Sequence, residues 1–174
     1  AAILPEIRKR FSGPSLGVFA DLKSNPLAVI EMARTGVAVD VIRNGHSQIK
    51  ESLKNDPTRF GAVEESAHYY EAFAADGSGR YCTENTLYLA MLIARAWKED
   101  PARFDRMVEI QATTAREREG GYKFPDDRAR AEALDAVRGH FEGRGADALD
   151  RMKNGMDLEA TLLRHGLPFD VDER

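Results

Sequence analysis

Metal centres, nucleophilic sites and phosphate loops each demand particular residues at particular spacings, and this chain supplies few of them. The four histidines, His46, His68, His140 and His165, lie far apart, none has a second histidine at i+4, and no His-Glu-x-x-His pair occurs. His68, between Ala67 and Tyr69, reads as a partly exposed residue of a long helix. Cys82 is alone, which rules out an internal disulfide and a cysteine-rich zinc site. No histidine or basic residue adjoins it, so it reads as a half-buried structural thiol. Ser47-Gln48-Ile49-Lys50 has the Ser-x-x-Lys spacing of acyl-serine enzymes, but the companion Ser-Asp-Asn and Lys-Thr-Gly motifs are missing. Ser47 therefore reads as a helix cap. The loop Asp76-Gly77-Ser78-Gly79 fails as a calcium loop, because its bidentate position falls on Thr83 rather than Glu84 and Ala74 replaces an oxygen ligand. It fails as a nucleotide loop for want of a third glycine, and no Gly-x-x-x-x-Gly-Lys occurs. No metal and no cofactor are expected.

One carboxylate merits a test. Glu119-Gly120-Gly121-Tyr122 is similar to the Glu-Gly-Gly-Tyr of a phage and bacterial N-acetylmuramidase family. The resemblance implies that Glu119 acts as catalytic acid, a raised-pKa carboxyl that protonates the glycosidic oxygen. The chain departs from that family downstream, where Lys123-Phe124-Pro125-Asp126 replaces an Asp-x-Gly-Gly-x-Thr-like segment. A pair of glycines ending a helix accounts for the same residues. A carboxylate-using hydrolase such as a muramidase is thus the alternative to a non-enzymatic role.

The elements that would position such groups read as helices. Leu4 to Phe11 makes a short one, stopped at Ser12-Gly13-Pro14. Residues 16–23 make another. Asn25 caps the next, with Pro26 in its first position, where the missing N–H would be unpaired anyway. Val37 to Ile42 is β-branched but isolated, so it reads as a buried short helix, with a strand as the lesser alternative. Phe60, Val63, Ala67, Tyr70 and Ala74 recur at helical spacing over 57–74. Thr83 caps a helix to residue 98 that is apolar on most sides, the mark of a central helix. Further helices follow over 101–119, from Pro125 to Gly143, and over 146–154 and 157–165, and the acidic tail from Asp170 frays. The expectation is an all-α bundle of six to nine helices around the 83–98 helix. It forms one domain, divisible into subdomains 1–75 and 80–174.

A joint is duplicated at an offset of 44 residues: Asp56-Pro57-Thr58-Arg59-Phe60 recurs as Asp100-Pro101-Ala102-Arg103-Phe104. Here each Asp is expected to cap a helix, each Phe to anchor it one turn later, and Arg59 and Arg103 to face a partner. Asn25-Pro26-Leu27 and Asn55 to Val63 also resemble the BID domain, the helical type IV secretion module of effectors and conjugative relaxases. The second segment is similar to that family's Pro-x-x-Phe-Gly-x-Leu-x-Gly, with Val63 in place of the Leu and Glu65 in place of the last Gly. The resemblance covers residues 25–65 and implies a module that binds type IV transfer machinery.

Charge points the same way. Residues 1–60 carry nine Lys/Arg against six Asp/Glu, while the whole chain has a net charge of −4. The acidic excess therefore lies in the remainder, and no basic stripe marks a dedicated nucleic-acid binder. Nucleic acid is accordingly not expected as a partner, and a protein is. The cations available to it are Arg8, Lys9, Arg10, Arg59 and Arg103. No run of about 18 apolar residues spans a membrane. The opening Ala1-Ala2-Ile3-Leu4-Pro5 is no signal peptide and fits a piece of a longer protein. The lone Cys82 makes a cytoplasmic origin the expectation, with translocation as the variant that the secretion-module resemblance implies.

Overall fold

The computed structural model describes residues 1–11, 16–75, 79–115, 117, 119–152 and 155–166. The breaker Ser12-Gly13-Pro14, the loop residues Asp76-Gly77-Ser78 and the tail from Asp170 lie outside them. In chain order the elements are α1 (Leu4–Arg8), β1 (Gly17–Asp21), α2 (Pro26–Ala33), β2 (Ala38–Ile42), α3 (His46–Asn55), β3 (Arg59–Val63), β4 (Tyr69–Ala75) and β5 (Gly79–Glu84). Then come α4 (Thr86–Glu99), a 3₁₀ turn (Pro101–Phe104), α5 (Asp105–Thr113), α6 (Asp127–Glu142), β6 (Ala146–Arg151) and β7 (Asp157–His165). This overturns the all-α bundle. The protein is mixed α/β, with a five-stranded sheet of order β2-β1-β3-β4-β5 and a separate antiparallel pair, β6-β7.

Each misread strand has a physical reason. β1 is buried at every position because β2 and β3 flank it in parallel and helices cover both faces. Such a strand is a continuous apolar run without alternation, which periodicity does not separate from a buried helix. β2 is the β-branched run that lacked a visible partner. Its partner is β1, with Val39 opposite Val18 and Val41 opposite Ala20. The apolar spacing over 57–74 is incidental, since those residues form β3 and β4, antiparallel with Ala62 opposite Tyr70. The two helices expected over 146–154 and 157–165 are the strands β6 and β7. β4 and β5 lie on either side of the expected subdomain boundary, yet they pair from Tyr70–Glu84 to Ala75–Gly79.

Two cores lie on the two faces of the large sheet. Val18, Ala20, Val39 and Phe60 pack with Leu4 and Ile7 of α1, Val29 and Met32 of α2, and Leu89 and Ala96 of α4. Phe19, Ala62, Tyr70 and Ala72 pack on the other face with Ile49 and Leu53 of α3, and with Met152 and Leu158 near the hairpin. Val18 and Ala20 face one core and Phe19 the other, as strand geometry requires. The register of β3 against β1 slips between Arg59 and Gly61, a bulge at Phe60 that lets this ring join the first core. A Cβ on Gly61 would meet the Tyr70 carbonyl oxygen at 2.7 Å, so β3 and β4 pair there only around glycine.

The helices hold further corrections. α4 is not a central helix: Leu89 and Ala96 are buried, whereas Leu87, Met91 and Trp97 are exposed. Thr83 lies in β5, and neither it nor Ser47 caps a helix. Gly45 precedes α3 and Asn85 precedes α4, neither with a side-chain cap. Asp56 ends α3 and its Oδ1 accepts from Thr58 N at 2.8 Å, a turn leading into a strand. Asp100 precedes the 3₁₀ turn without a capping hydrogen bond. Asn25 does cap α2, accepting from Leu27 N at 2.9 Å, with Pro26 in the first position. Phe60 and Phe104 are both buried. Among the described residues no helix is long and apolar enough to cross a membrane.

Candidate functional site

The connection β1-α2-β2 runs over one face of the sheet and β2-α3-β3 over the other, as their two cores show. The chain therefore leaves β1 toward β2 and leaves β3 toward β4, in opposite directions across the sheet, and a crevice opens outside the carboxyl ends of β1 and β3. In open α/β sheets this switch point is where ligands bind.

Asp21, the last residue of β1, ties the rim together. It is 2% exposed. Its Oδ1 accepts from Ser24 Oγ at 2.6 Å and from Glu65 N at 3.2 Å, and its Oδ2 accepts from Asn44 Nδ2 at 3.1 Å. One carboxylate thus holds the loops after β1, β2 and β3. Burial raises its pKa, against the opposing pull of the Ser24 hydrogen bond.

The turn after β3 carries the next groups. Ala67 N donates to the Glu64 carbonyl at 3.0 Å, and Glu64 N donates to the His68 carbonyl at 2.9 Å. Ala67 has φ of 66°, a left-handed conformation that a side chain disfavours. Glu64 is 6% exposed. Ser66 Oγ donates to its Oε2 at 3.1 Å, while its Oε1 is buried without a hydrogen-bond partner. His68 Nδ1 lies 2.9 Å from Glu84 Oε1, and that hydrogen bond raises the histidine pKa and lowers the carboxylate pKa. His46 opens α3, and its Nδ1 lies 2.6 Å from the Tyr70 hydroxyl. The two imidazoles meet edge to face with centroids 4.7 Å apart. Burial pushes the Tyr70 phenol well above its usual range, so it stays protonated.

Asp21, His46, Glu64, Ser66 and His68 line a pocket of about 200 Å³ with Lys23, Asn44, Glu65 and Glu119. Every side chain in its wall donates or accepts hydrogen bonds. Ser66 Oγ donates to a carboxylate rather than to an imidazole, so Ser66 is not paired as the nucleophile of a serine–histidine couple.

The residues singled out from sequence fall in several places. Glu119 does reach this pocket, but it is exposed and its Oε1 pairs with Lys23 Nζ at 2.7 Å. Arg10 Nη1 donates to the buried Glu71 at 2.6 Å, and its guanidinium stands 4.7 Å from the Tyr88 ring centroid. Arg59 pairs with Asp40, and Arg103 donates to Glu6 at 2.8 Å and to the Ala2 carbonyl at 3.0 Å. Arg8 Nε is buried without a partner and Lys9 is exposed. Three of the five cations are thus tied to three different acids. Cys82 is half-buried in β5, and burial pushes its thiol up, in keeping with a structural thiol.

Asp21, Asn44, Glu64, Ser66 and Glu84 do not stand out as site residues in the sequence, His46 reads there as one of four scattered histidines, and His68 as a helix residue. No local signal marks them. His46 and His68 are 22 residues apart and meet only because β4 returns beside β3. Of known proteins, no family model, curated protein or solved structure matches the chain.

Proposed function

We propose that the rim pocket binds a small hydroxyl-rich molecule of the carbohydrate class. The observation that carries this reading is the convergence of donors and acceptors from four loops at the switch point. Asp21, Glu64 and Glu65 accept, and Lys23, Asn44, His46 and His68 offer donors. A polyol presents hydroxyls that both donate and accept, and so satisfies such a mixed wall, whereas a simple anion would meet the carboxylates. A wall this polar gives little to an apolar ligand, and a pocket this small suits a ring-sized molecule. Glu64 is the group on which affinity should turn. Its Oε1 has no hydrogen-bond partner and is open to a ligand hydroxyl, and a charged hydrogen bond contributes about 1.5–3 kcal/mol.

The expected result is binding of at least one member of a panel of hexoses, pentoses and linear polyols, free and as monophosphates. Saturation-transfer NMR and calorimetry in the presence of a chelator would read it. Glu64→Gln should weaken the interaction by about ten-fold or more, and Glu132→Gln on exposed α6 should leave it unchanged. Absence of binding across the panel, or equal binding by Glu64→Gln, overturns the reading. Protein docking at Arg8, Lys9, Arg10, Arg59 and Arg103 has no comparable convergence behind it. The residues resembling the BID joint form a helix-to-strand connection here, which lends no support to a type IV partner.

A further inference from the structure

We infer that His46, Glu64 and His68 form a binding site for one divalent transition-metal ion of the zinc type. The inference goes beyond the ligand reading, because it concerns what these three groups do when no organic molecule is present.

Each of the three offers one donor atom, and those atoms lie within 4.8 Å of one another. A tetrahedral zinc site with ligands at about 2.0–2.1 Å sets its donors roughly 3.3 Å apart. Small side-chain rotations close that difference, and His46 and His68 are exposed enough to make them. Two imidazoles and one carboxylate form a donor set that suits zinc and leaves a fourth position open. All-oxygen sets suit magnesium and calcium, and this is not one.

Two independent features point to a cation rather than to a chance cluster. The first is Glu64: it is 6% exposed, yet its Oε1 has no hydrogen-bond partner. An unpaired carboxylate oxygen held out of water is costly unless a donor or a cation meets it. The second is the support behind each histidine. His68 Nδ1 is hydrogen-bonded to Glu84, and His46 Nδ1 to Tyr70. Metal-ligating histidines are held in this way, one ring nitrogen on a carboxylate or other oxygen and the other left for the ion. The carboxylate behind His68 is itself fixed, accepting from Thr86 Oγ1 at 3.0 Å. The supports come from β4, β5 and the start of α4, so the ligands rest on paired strands rather than on a loose loop.

The test uses the full chain, titrated with zinc by calorimetry and with cobalt(II) by visible absorption, without any sugar. One zinc per chain and the intense visible bands of tetrahedral cobalt are expected. His46→Ala and His68→Ala should each abolish the cobalt bands, and Glu64→Gln should weaken zinc by at least about ten-fold. Glu84→Gln, which removes only the support, should weaken it by about 10–100-fold while keeping the bands. His140→Ala with His165→Ala should change nothing. Circular dichroism and thermal unfolding without metal verify that each variant folds. Zinc binding that survives His46→Ala and His68→Ala, or no binding at all, overturns the inference. The carbohydrate panel is run with chelator and the metal titration without sugar, so failure of either leaves the other decided on its own data.

Discussion

Asp56-Pro57-Thr58-Arg59-Phe60 and Asp100-Pro101-Ala102-Arg103-Phe104 share four of five residues, and both follow a helix ending in lysine and one further residue. The first leads from α3 into a strand, and the second passes through a 3₁₀ turn into α5. In both, the phenylalanine is buried and the arginine pairs with an acid distant in sequence. What differs is the aspartate and what comes after. Asp56 Oδ1 accepts from Thr58 N at 2.8 Å and Thr58 Oγ1 at 2.6 Å, which turns the chain outward into β3. Ala102 offers no such hydroxyl, and Asp105-Arg106-Met107 continues as helix. The shared residues therefore specify a break and an anchor, and the local partner and the following residues select strand or helix.

The comparison can be broken most directly at the anchors. Phe60 is 2% exposed and stacks on Phe11 at 5.0 Å, whereas Phe104 is 8% exposed against Trp97, itself partly open to solvent. Phe60→Ala should cost about 3–5 kcal/mol, with Phe104→Ala at or below the lower end. Chemical denaturation measures both, and equal losses would mean that the two anchors are equivalent.

Next come the arginines. Arg59 and Asp40 have side chains 13% and 14% exposed, and Arg103 and Glu6 are 25% and 35% exposed. Removing Arg59 leaves a largely buried carboxylate unpaired, so Arg59→Ala should cost about 2–3 kcal/mol. Arg103→Ala should cost about 1 kcal/mol or less, because water competes for its pair. Unfolding in urea at low and high salt separates them, since only the Arg103 contribution should shrink appreciably with salt.

The aspartates follow. Asp56→Ala should lose about 1 kcal/mol through its two turn hydrogen bonds. Asp100→Ala should stay within about 0.5 kcal/mol, since its side chain caps nothing. A larger loss at Asp100 than at Asp56 would restore the reading of the second joint as a capped helix start.

The smallest effect lies outside both joints and serves as their control. His68 titrates above an ordinary histidine because of Glu84. Its folded pKa exceeds its unfolded pKa, so the stabilisation is full below the unfolded value and disappears as pH rises through the folded one. An NMR titration should place the His68 transition above the usual histidine range, and Glu84→Gln should bring it down. The stability differences between the two joints should be unchanged across that window, because neither contains a histidine.

Several features were determined by the chain's own order of residues. Asn25 followed by Pro26 starts a helix wherever it sits, because the cap satisfies an N–H two residues away. The helix expected to open at Pro125 begins at Asp127, capped by Asp126 on Ala129 N at 2.8 Å. The burial of Phe60 and Phe104 and the solitary Cys82 were legible for the same reason: they depend on residue type and near neighbours. The tertiary structure alone decided the sheet and the candidate site. A helix closes its hydrogen bonds within four residues, whereas a strand has none until a distant segment supplies them. Val37 to Ile42 carried β-branched side chains, but only Val18 and Ala20, some twenty residues earlier, made them a strand. Asp21, His46, Glu64 and His68 stand at the ends of three such strands and their turns. They became neighbours when β1 was flanked by β2 on one side and β3 on the other and β4 turned back beside β3.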